Sequence, residues 1–196
     1  MNNQVDYVAR IIAILTLVLG VGAFAYEHLR GPALRASTGK YVYIQGRPRL
    51  GISVGFFNNG AEAAIINTST LTLDDGSHEF PFTLTLFSPS TEKWTTEGGS
   101  LAPIPATYSL FSQLAVKPGD TADGVFWYSP DPAFKFIPDK KYVARLTFSS
   151  VDQEQTGASV VGKTPLCTSG TTFTVDSTVA KNAQLDPQSL HVVKTD

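Results

Sequence analysis

Two patterns of hydrophobic residues divide the chain near residue 40. The first is Ile11–Tyr26, a run of 16 residues without a charged side chain, which Arg10 precedes and Glu27 follows. A bilayer core of about 30 Å requires roughly 20 helical residues. The usable span reaches 19 residues when Val8 and Ala9 are included and the side chain of Arg10 extends toward the membrane surface. The pattern predicts a transmembrane helix over residues 10–29, after a short tail at residues 1–9.

A cleaved signal peptide is the alternative interpretation of this run. Ala23 and Ala25 provide the small residues of a cleavage site, and Arg10 precedes the apolar segment. The run is slightly longer than in a usual signal peptide, and Asp6 opposes the charge of Arg10, so a retained helix is favoured. Positive charges after the run favour a cytoplasmic C-terminus, but long domains are translocated largely regardless of them. Both interpretations predict an extracytoplasmic domain.

After a linker at residues 30–39, the second pattern consists of short segments that alternate between apolar and polar residues. Thr70–Leu73 and Lys141–Ser149 have a period of two, which is typical of strands with one buried face. Turn sequences such as Asn58-Asn59-Gly60 separate the segments. The predicted strands are Tyr41–Ile44, Leu50–Phe57, Ala63–Leu73, Phe82–Phe87, Leu110–Val116, Gly124–Tyr128, Lys141–Ser149, Ala158–Val161 and Thr171–Val175.

This spacing of strands and turns predicts an all-β fold. Eight or nine strands, with turns about every 8–12 residues, favour a single antiparallel Ig-like β-sandwich over residues 40–176. The periodicity fades after Asp176, so residues 177–196 are predicted to form a tail or a short appended segment. Gly98–Ala106 is predicted to be a loop because it contains two glycines and two prolines.

The order of these elements is similar to that of a known group of domains. A strand at Ile52–Phe57 leads through an Asn-Gly turn to a strand at Ala63–Leu73, and a Pro-Gly-Asp corner at residues 118–120 precedes the aromatic strand Val125–Tyr128. The arrangement resembles the small Ig-like modules that are common on bacterial and archaeal envelope proteins. The resemblance implies a sandwich fold on an envelope protein, and it implies no catalytic residue.

Composition and charge narrow the possible functions. Hydrophobic residues make up 42% of the chain and charged residues 16%, below the roughly 25% charged residues of an average domain. The net charge is -2 and the basic residues are scattered singly, which excludes a dedicated nucleic-acid-binding protein. Cys167 is the only cysteine, so it cannot form a disulfide within the chain. It is predicted to be a free thiol, with a disulfide to another chain or a metal held together with outside ligands as the alternatives.

The three histidines do not form a metal-binding motif. His28, His78 and His191 are too far apart in sequence for a His-x-His or His-x-x-x-His metal site. We therefore predict a protein without catalytic residues, cofactor or bound metal. Acidic residues cluster near turns, as at Asp74-Asp75, where calcium binding is an alternative to the ordinary preference of Asp for turns.

Aromatic residues are the candidates for an interaction surface. Trp127 alternates with its aromatic neighbours on a predicted strand, so that at least one ring could face outward, although packing in the core is favoured there. Trp94 lies in a polar stretch, which favours an exposed side chain. The candidate contact residues are Trp94, Trp127, Phe134 and Phe136.

These observations predict a non-enzymatic accessory or interaction protein. A single helix would hold the domain at the outer face of the cytoplasmic (inner) membrane, where the domain would contact another envelope protein or complex. The predicted partners are therefore the membrane and an envelope protein. A carbohydrate- or calcium-binding module is the alternative, and a hydrolase is a less favoured one.

Overall fold

The chain begins with a long helix and continues as a series of antiparallel strands. A computed structural model describes residues 2–28, 31–46, 49–89, 92–97, 100–105, 107–151, 163–186 and 189–196. These residues include two helices, α1 at Asn2–His28 and α2 at Ser177–Leu185. The strands are β1 Leu34–Gln45, β2 Arg49–Asn58, β3 Ala64–Ile66, β4 Thr68–Asp74, β5 Glu79–Pro89, β6 Glu92–Glu97, β7 Ser100–Pro105, β8 Ser109–Leu110, β9 Leu114–Val116, β10 Thr121–Pro130, β11 Lys140–Val151, β12 Lys163–Val175 and β13 Leu190–Lys194.

Nine of the described strands form one antiparallel sheet. Its order is β12-β11-β4-β5-β10-β2-β1-β13, and the short strand β8 pairs with β5. Strand β3 pairs with β9, and β6 pairs with β7, in two separate two-stranded sheets. The large sheet therefore contains most of the β structure and positions the remaining elements.

The two edges of the large sheet come together. Phe173 of β12 forms an isolated antiparallel bridge with Thr195, which follows β13. The hydroxyl of Thr38 on β1 donates a hydrogen bond to the carbonyl of Gly170 on β12 over 2.9 Å. The sheet is thus curled on itself, and its concave face encloses the core.

This single curled sheet replaces the predicted Ig-like β-sandwich, which is wrong. Alternation of apolar and polar residues shows that one face of a strand is buried, but it does not show what covers that face. In a sandwich a second sheet covers it. In this protein the same sheet covers it by curling, because β13 lies beside β1 and reaches β12. The fold is nevertheless mostly β, and the strands of the large sheet are antiparallel.

The concave face of the sheet carries the main hydrophobic core. Along β2, Leu50, Ile52, Val54 and Phe56 are buried, as a period of two requires. Phe126 on β10 lies at the centre of an aromatic cluster. Its ring centroid is 5.0–5.7 Å from those of Phe56, Phe87, Phe111 and Phe148. Tilted and edge-on pairs at such distances each add about 0.5–1.5 kcal/mol beyond the burial of area.

Helix α2 and strand β13 lie within residues 177–196, where the sequence predicted a tail or a short appended segment. Asp176 caps helix α2, because its Oδ1 accepts a hydrogen bond from the N–H of Val179 over 2.8 Å. The helix buries Val179, Ala180 and Ala183 against the core. Strand β13 then pairs with β1 along its whole length. Both elements are short, so their periodicity does not stand out in the sequence.

The predicted loop at Gly98–Ala106 is also wrong, since Ser100–Pro105 forms strand β7 and pairs with β6. The prolines that suggested a loop are compatible with this strand because β6 is its one described neighbour, and an edge strand has one side that needs no backbone donor. The predicted strand Ala158–Val161 lies outside the described residues.

Helix α1 does not meet the requirements of a transmembrane helix: along the described residues, no helix is both long enough and apolar enough to cross a bilayer. The uncharged run Ile11–Tyr26 rises about 24 Å at about 1.5 Å per residue, less than a bilayer core of about 30 Å. This finding contradicts the predicted transmembrane helix at residues 10–29. It equally contradicts the predicted localisation as a single-pass protein of the inner membrane with its domain on the extracytoplasmic side. The membrane and envelope-protein partners stay predictions.

Candidate functional site

Helix α1 exposes large hydrophobic side chains over much of its length. Ten of them are 40–71% exposed, namely Ile11, Ile12, Ile14, Leu15, Leu17, Val18, Leu19, Val21, Phe24 and Tyr26. Monomeric proteins rarely leave a continuous apolar surface of this kind open, and such surfaces mark sites of interaction. Ala23 and Ala25 lie within the same helix, and their role in signal-peptide cleavage stays a prediction.

A shallow groove runs along one side of helix α1. It has a volume of about 590 Å³ and is lined by Ala13, Thr16, Leu17, Gly20, Val21 and Phe24. Their spacing of three and four residues places them on one helix face, which we call the helix groove. The hydroxyl of Thr16 donates to the carbonyl of Ile12 over 2.8 Å, so this polar group is bonded within the helix. The face offered to a partner is therefore apolar.

Three of the four aromatic residues predicted to make contacts are buried. Trp127 is fully buried, and Phe134 and Phe136 are 7% and 2% exposed. Phe134 and Phe136 pack against each other and against rings of the neighbouring strands. These three residues therefore support the fold and are not accessible to a sugar or a partner protein. Trp94 lies on β6 opposite Pro103, and its side chain is outside what the structure describes.

Trp127 packs on the convex face of the sheet, away from the main core. It forms a second cluster with Tyr43 and Val125, which are also buried. Its ring lies against Gly51 on the neighbouring strand, where a Cβ atom would stand 3.0 Å from three ring atoms. Tyr108 lies beside the indole, with 5.4 Å between ring centroids. Glycine at position 51 is thus explained by the close approach of Trp127.

The acidic turns have structural partners that account for their carboxylates. Asp74 and Glu79 both accept hydrogen bonds from the guanidinium of Arg145, at 3.0 and 2.7 Å. Asp75 accepts bonds from the backbone N–H of His78 and of the residue before it, and these bonds hold the pKa of Asp75 below its ordinary value. Within the described part of the chain, no group of three or more His, Cys, Asp or Glu side chains could hold a metal ion. The turns therefore give no support to the calcium alternative.

A buried pair of hydroxyl groups occupies the core between β4 and β10. The Tyr128 hydroxyl lies 2.7 Å from the Ser69 hydroxyl, and burial raises the pKa of Tyr128. Both residues are closed off from solvent, so the pair satisfies itself inside the core and offers no nucleophile to a substrate. The absence of catalytic residues stays a prediction.

Cys167 is a half-buried free thiol on β12. It lies opposite Phe148 of β11 and packs against the main core. Burial raises the pKa of the thiol to about 11. The thiolate is the form that reacts with electrophiles, so the folded protein holds Cys167 in its unreactive form at neutral pH.

At about pH 8, we expect Cys167 to react with a disulfide reagent roughly 100-fold more slowly in the folded protein than in urea. The reason is that the pKa of the thiol is about two units higher in the folded protein than in the unfolded chain, which lowers the thiolate fraction about 100-fold. The labelling rate should rise about tenfold per pH unit until the pH approaches about 11. Absorbance of the released thiol measures both rates, and Cys167→Ser serves as the blank. Folded and unfolded rates within about threefold of each other would contradict this expectation.

A second groove lies on the convex face of the sheet, where β1, β2 and β10 run side by side. It has a volume of about 570 Å³. Three adjacent cross-strand rows of residues line it. The outer rows, Arg35–Phe57–Thr121 and Ser37–Gly55–Asp123, share one face of the sheet, and the row Ala36–Phe56–Ala122 lies between them. We call it the sheet groove. Sequence analysis missed it because its residues come from three separate strands. The available signal was Gly55, a glycine inside an otherwise alternating strand.

Comparisons with known proteins do not assign the chain to a family. No family model matches the sequence, and no curated protein matches it. Solved structures with partial similarity include a family 123 glycoside hydrolase from Clostridium perfringens, the sporulation control protein Spo0M from Bacillus subtilis, and AvmM, which catalyzes macrocyclization in alchivemycin A biosynthesis.

These structural similarities are weak. The hydrolase is 10% identical, with a TM-score of 0.35 over 70% of this chain and 27% of its own. Spo0M is 9% identical, with a TM-score of 0.29 over 74% of this chain and 48% of its own. AvmM is 8% identical, with a TM-score of 0.29 over 75% of this chain and 90% of its own. The chain thus spans about a quarter of the hydrolase, and similarities at these TM-scores carry no argument about function.

Proposed function

We propose that this chain is a non-enzymatic interaction protein that binds a partner protein through helix α1. The observation that carries the proposal is the surface of the helix, on which ten large hydrophobic side chains are 40–71% exposed. The aromatic rings of the β domain, by contrast, are mostly enclosed in its two clusters. The sheet is then a folded support, and α1 provides the contact surface.

The chemistry of the helix defines the partner. Residues from Ile11 to Tyr26 carry no charge, so the complementary surface must be apolar. A helix that lies in an apolar groove, or between the helices of another protein, makes its contacts at positions three and four residues apart. Leu17 and Phe24 have this arrangement on either side of Gly20, which has open space above it. A partner side chain could therefore approach the helix closely at Gly20.

The test is copurification of the intact, C-terminally tagged chain with its partner from its native host, followed by reconstitution from the two purified proteins. We expect one protein to copurify in stoichiometric amount and to bind again in vitro. Leu17→Asp should weaken that binding at least about tenfold, because it would bury a charge in an apolar contact. Leu110→Asp is the matched control, since Leu110 is 81% exposed on β8 and lies outside the helix.

Three results would overturn the proposal. The first is a chain that purifies alone as a monomer, and the second is a partner whose reconstituted binding Leu17→Asp leaves unchanged. The third is an oligomer of this chain alone that Leu17→Asp dissociates, because a second copy would then occupy the helix groove in place of a different protein.

A further inference from the structure

We propose that the sheet groove binds a carbohydrate, with one sugar ring stacked on Phe57 and its hydroxyl groups hydrogen-bonded by Arg35 and Asp123. The site is separate from helix α1 and contains none of the aromatic candidates of the sequence analysis. It goes beyond the proposed partner binding, since it assigns a second ligand to the β domain.

Gly55 is the residue that opens the groove. It faces the convex side of β2, between Ser37 on β1 and Asp123 on β10. A Cβ atom at this position would meet a single neighbouring atom within 4 Å, the Ser37 hydroxyl oxygen at 3.6 Å, which is ordinary van der Waals contact. The φ angle of Gly55 is not positive. Neither packing nor backbone conformation therefore requires glycine here.

Two other glycines on these strands provide the comparison. A Cβ at Gly51 would stand 3.0 Å from the ring of Trp127, and a Cβ at Gly124 would stand within 2.4 Å of the ring of Phe87. Both positions are glycine because a ring occupies the space. At Gly55 no ring occupies this space. A glycine inside a strand weakens the strand, so glycine at position 55 has a cost that packing does not explain. What glycine supplies at this position is open space above the sheet, as a ligand site requires.

Phe57 provides an apolar surface next to that space. It is 42% exposed on the convex face, in line with Arg35 on β1 and Thr121 on β10. A pyranose ring has an apolar C–H face and a polar edge of hydroxyl groups. Such a ring can cover the face of an aromatic side chain while its edge reaches flanking polar groups, a combination typical of ligand sites.

The polar groups of the groove suit neutral hydroxyl groups. Arg35 and Asp123 are exposed, and neither belongs to the ion pairs found among the described residues. A guanidinium only donates hydrogen bonds and an ionised carboxylate only accepts them, whereas each sugar hydroxyl does both. One positive and one negative charge also leave the groove without a net charge. This balance favours a neutral polyhydroxylated ligand over a phosphate or an acidic peptide.

The shape of the groove favours a saccharide over an extended peptide. Three strands about 4.8 Å apart give a width of about 10 Å, which is comparable with the length of a disaccharide. A peptide that binds a sheet by adding a strand needs an unpaired edge. The strands on both sides of β2, β10 and β1, are already paired with it. The centre of the groove therefore offers side chains and no unpaired backbone groups to a peptide.

The experiment is an NMR titration of the intact, 15N-labelled chain with neutral hexasaccharides of glucose (β-1,4 and β-1,3), xylose, mannose and N-acetylglucosamine, each up to roughly 5 mM. We expect at least one of them to shift the amide signals of Arg35, Phe57 and Asp123 saturably. Phe57→Ala and Asp123→Ala should each weaken that binding at least about tenfold.

Gly55→Val is the decisive variant. The melting temperature should not fall, because the new Cβ atom has room and β-branched residues favour strands. Sugar binding should be abolished, because the valine side chain fills the groove. Phe24→Ala is the matched control, because it removes an exposed phenylalanine from helix α1 and should leave sugar binding unchanged. Since Phe24 lies in the helix groove and Gly55 does not, failure of this proposal and failure of the proposed partner binding are distinguishable.

Three outcomes would overturn the carbohydrate proposal. They are the absence of saturable shifts with every hexasaccharide, saturable shifts confined to residues outside the groove, and binding that survives Gly55→Val in a folded protein.

Discussion

Phe126→Ala should lower the free energy of unfolding by about 3–5 kcal/mol, among the largest effects of any single substitution in this chain. Phe126 is fully buried on β10, and its ring contacts four other rings of the core. Removal of the ring takes away its burial and those contacts, and it leaves a cavity that β2 and β11 cannot close without moving. Urea unfolding followed by circular dichroism measures the loss, and the melting temperature should fall by roughly 10 °C or more.

Two further variants separate the loss of packing from the loss of an aromatic ring as such. Phe126→Leu keeps most of the volume and should cost roughly 1–2 kcal/mol. Phe57→Ala removes the same group from the exposed convex face and should change the free energy of unfolding by less than about 1 kcal/mol. If Phe126→Ala cost no more than Phe57→Ala, the central position of Phe126 in the core would be refuted.

Asn58→Ala should cost about 3–4 kcal/mol, because it leaves one buried and three half-buried backbone groups without their partner. Asn58 is fully buried at the end of β2. Its Nδ2 donates to the carbonyls of Glu62 and Val116 at 2.7 and 2.9 Å, and its Oδ1 accepts from the N–H groups of Gly60 and Ala33 at 2.9 and 3.2 Å. One side chain thus joins the start of β1, the turn after β2 and strand β9. Chemical unfolding of the variant beside the native chain measures the effect.

Asn58→Asp distinguishes these hydrogen bonds from simple packing. The new carboxyl keeps the volume and the acceptor oxygen, but when ionised it places a second negative oxygen against two carbonyl groups. The folded state should therefore favour the protonated carboxyl and raise its pKa above about 4, the value expected in the unfolded chain. The folded variant then binds more protons than the unfolded chain, so its stability should fall as the pH rises above about 4.

Gln113→Glu is the control for this pH dependence. It makes the same amide-to-carboxylate change at an exposed position between β8 and β9, and it should not add a decline in stability above about pH 4. The difference in free energy of unfolding between Asn58→Asp and the native chain should change between about pH 4 and about pH 8. If it stayed constant, the two hydrogen bonds that Asn58 donates would contribute little to stability.

The turn at Asn58-Asn59-Gly60 shows what the sequence could and could not predict. The Asn-Gly pair correctly indicated the end of β2, but the usual reason for such a pair, a positive φ, does not apply to Gly60. Glycine is needed there because residues 31–33 pass so close that a Cβ would stand 2.4 Å from the carbonyl oxygen of Gly31. Local sequence indicates where a turn lies, and the distant segment that packs on it is known only from the fold.

The same distinction holds for the strands and for the candidate surfaces. Strands with a period of two, such as β4 and β11, were predicted close to their observed positions, because each pattern is complete within a few residues. The pairing of β13 with β1 joins parts of the chain far apart in sequence, and no local pattern specifies it. The sheet groove depends on the alignment of three strands in register. The burial of Trp127 depends on Gly51 of another strand.

The position of β13 also affects how the chain can fold while it is being made. Leu190 follows Gln45, its partner on β1, by 145 residues, so a ribosome that adds about 5–20 residues per second takes on the order of 10 s to deliver it. During that time the outer edge of β1 has no β13 to pair with, and an unpaired edge is a template for association with other chains. We therefore expect the nascent chain to need protection at this edge, for example by a chaperone, until β13 emerges.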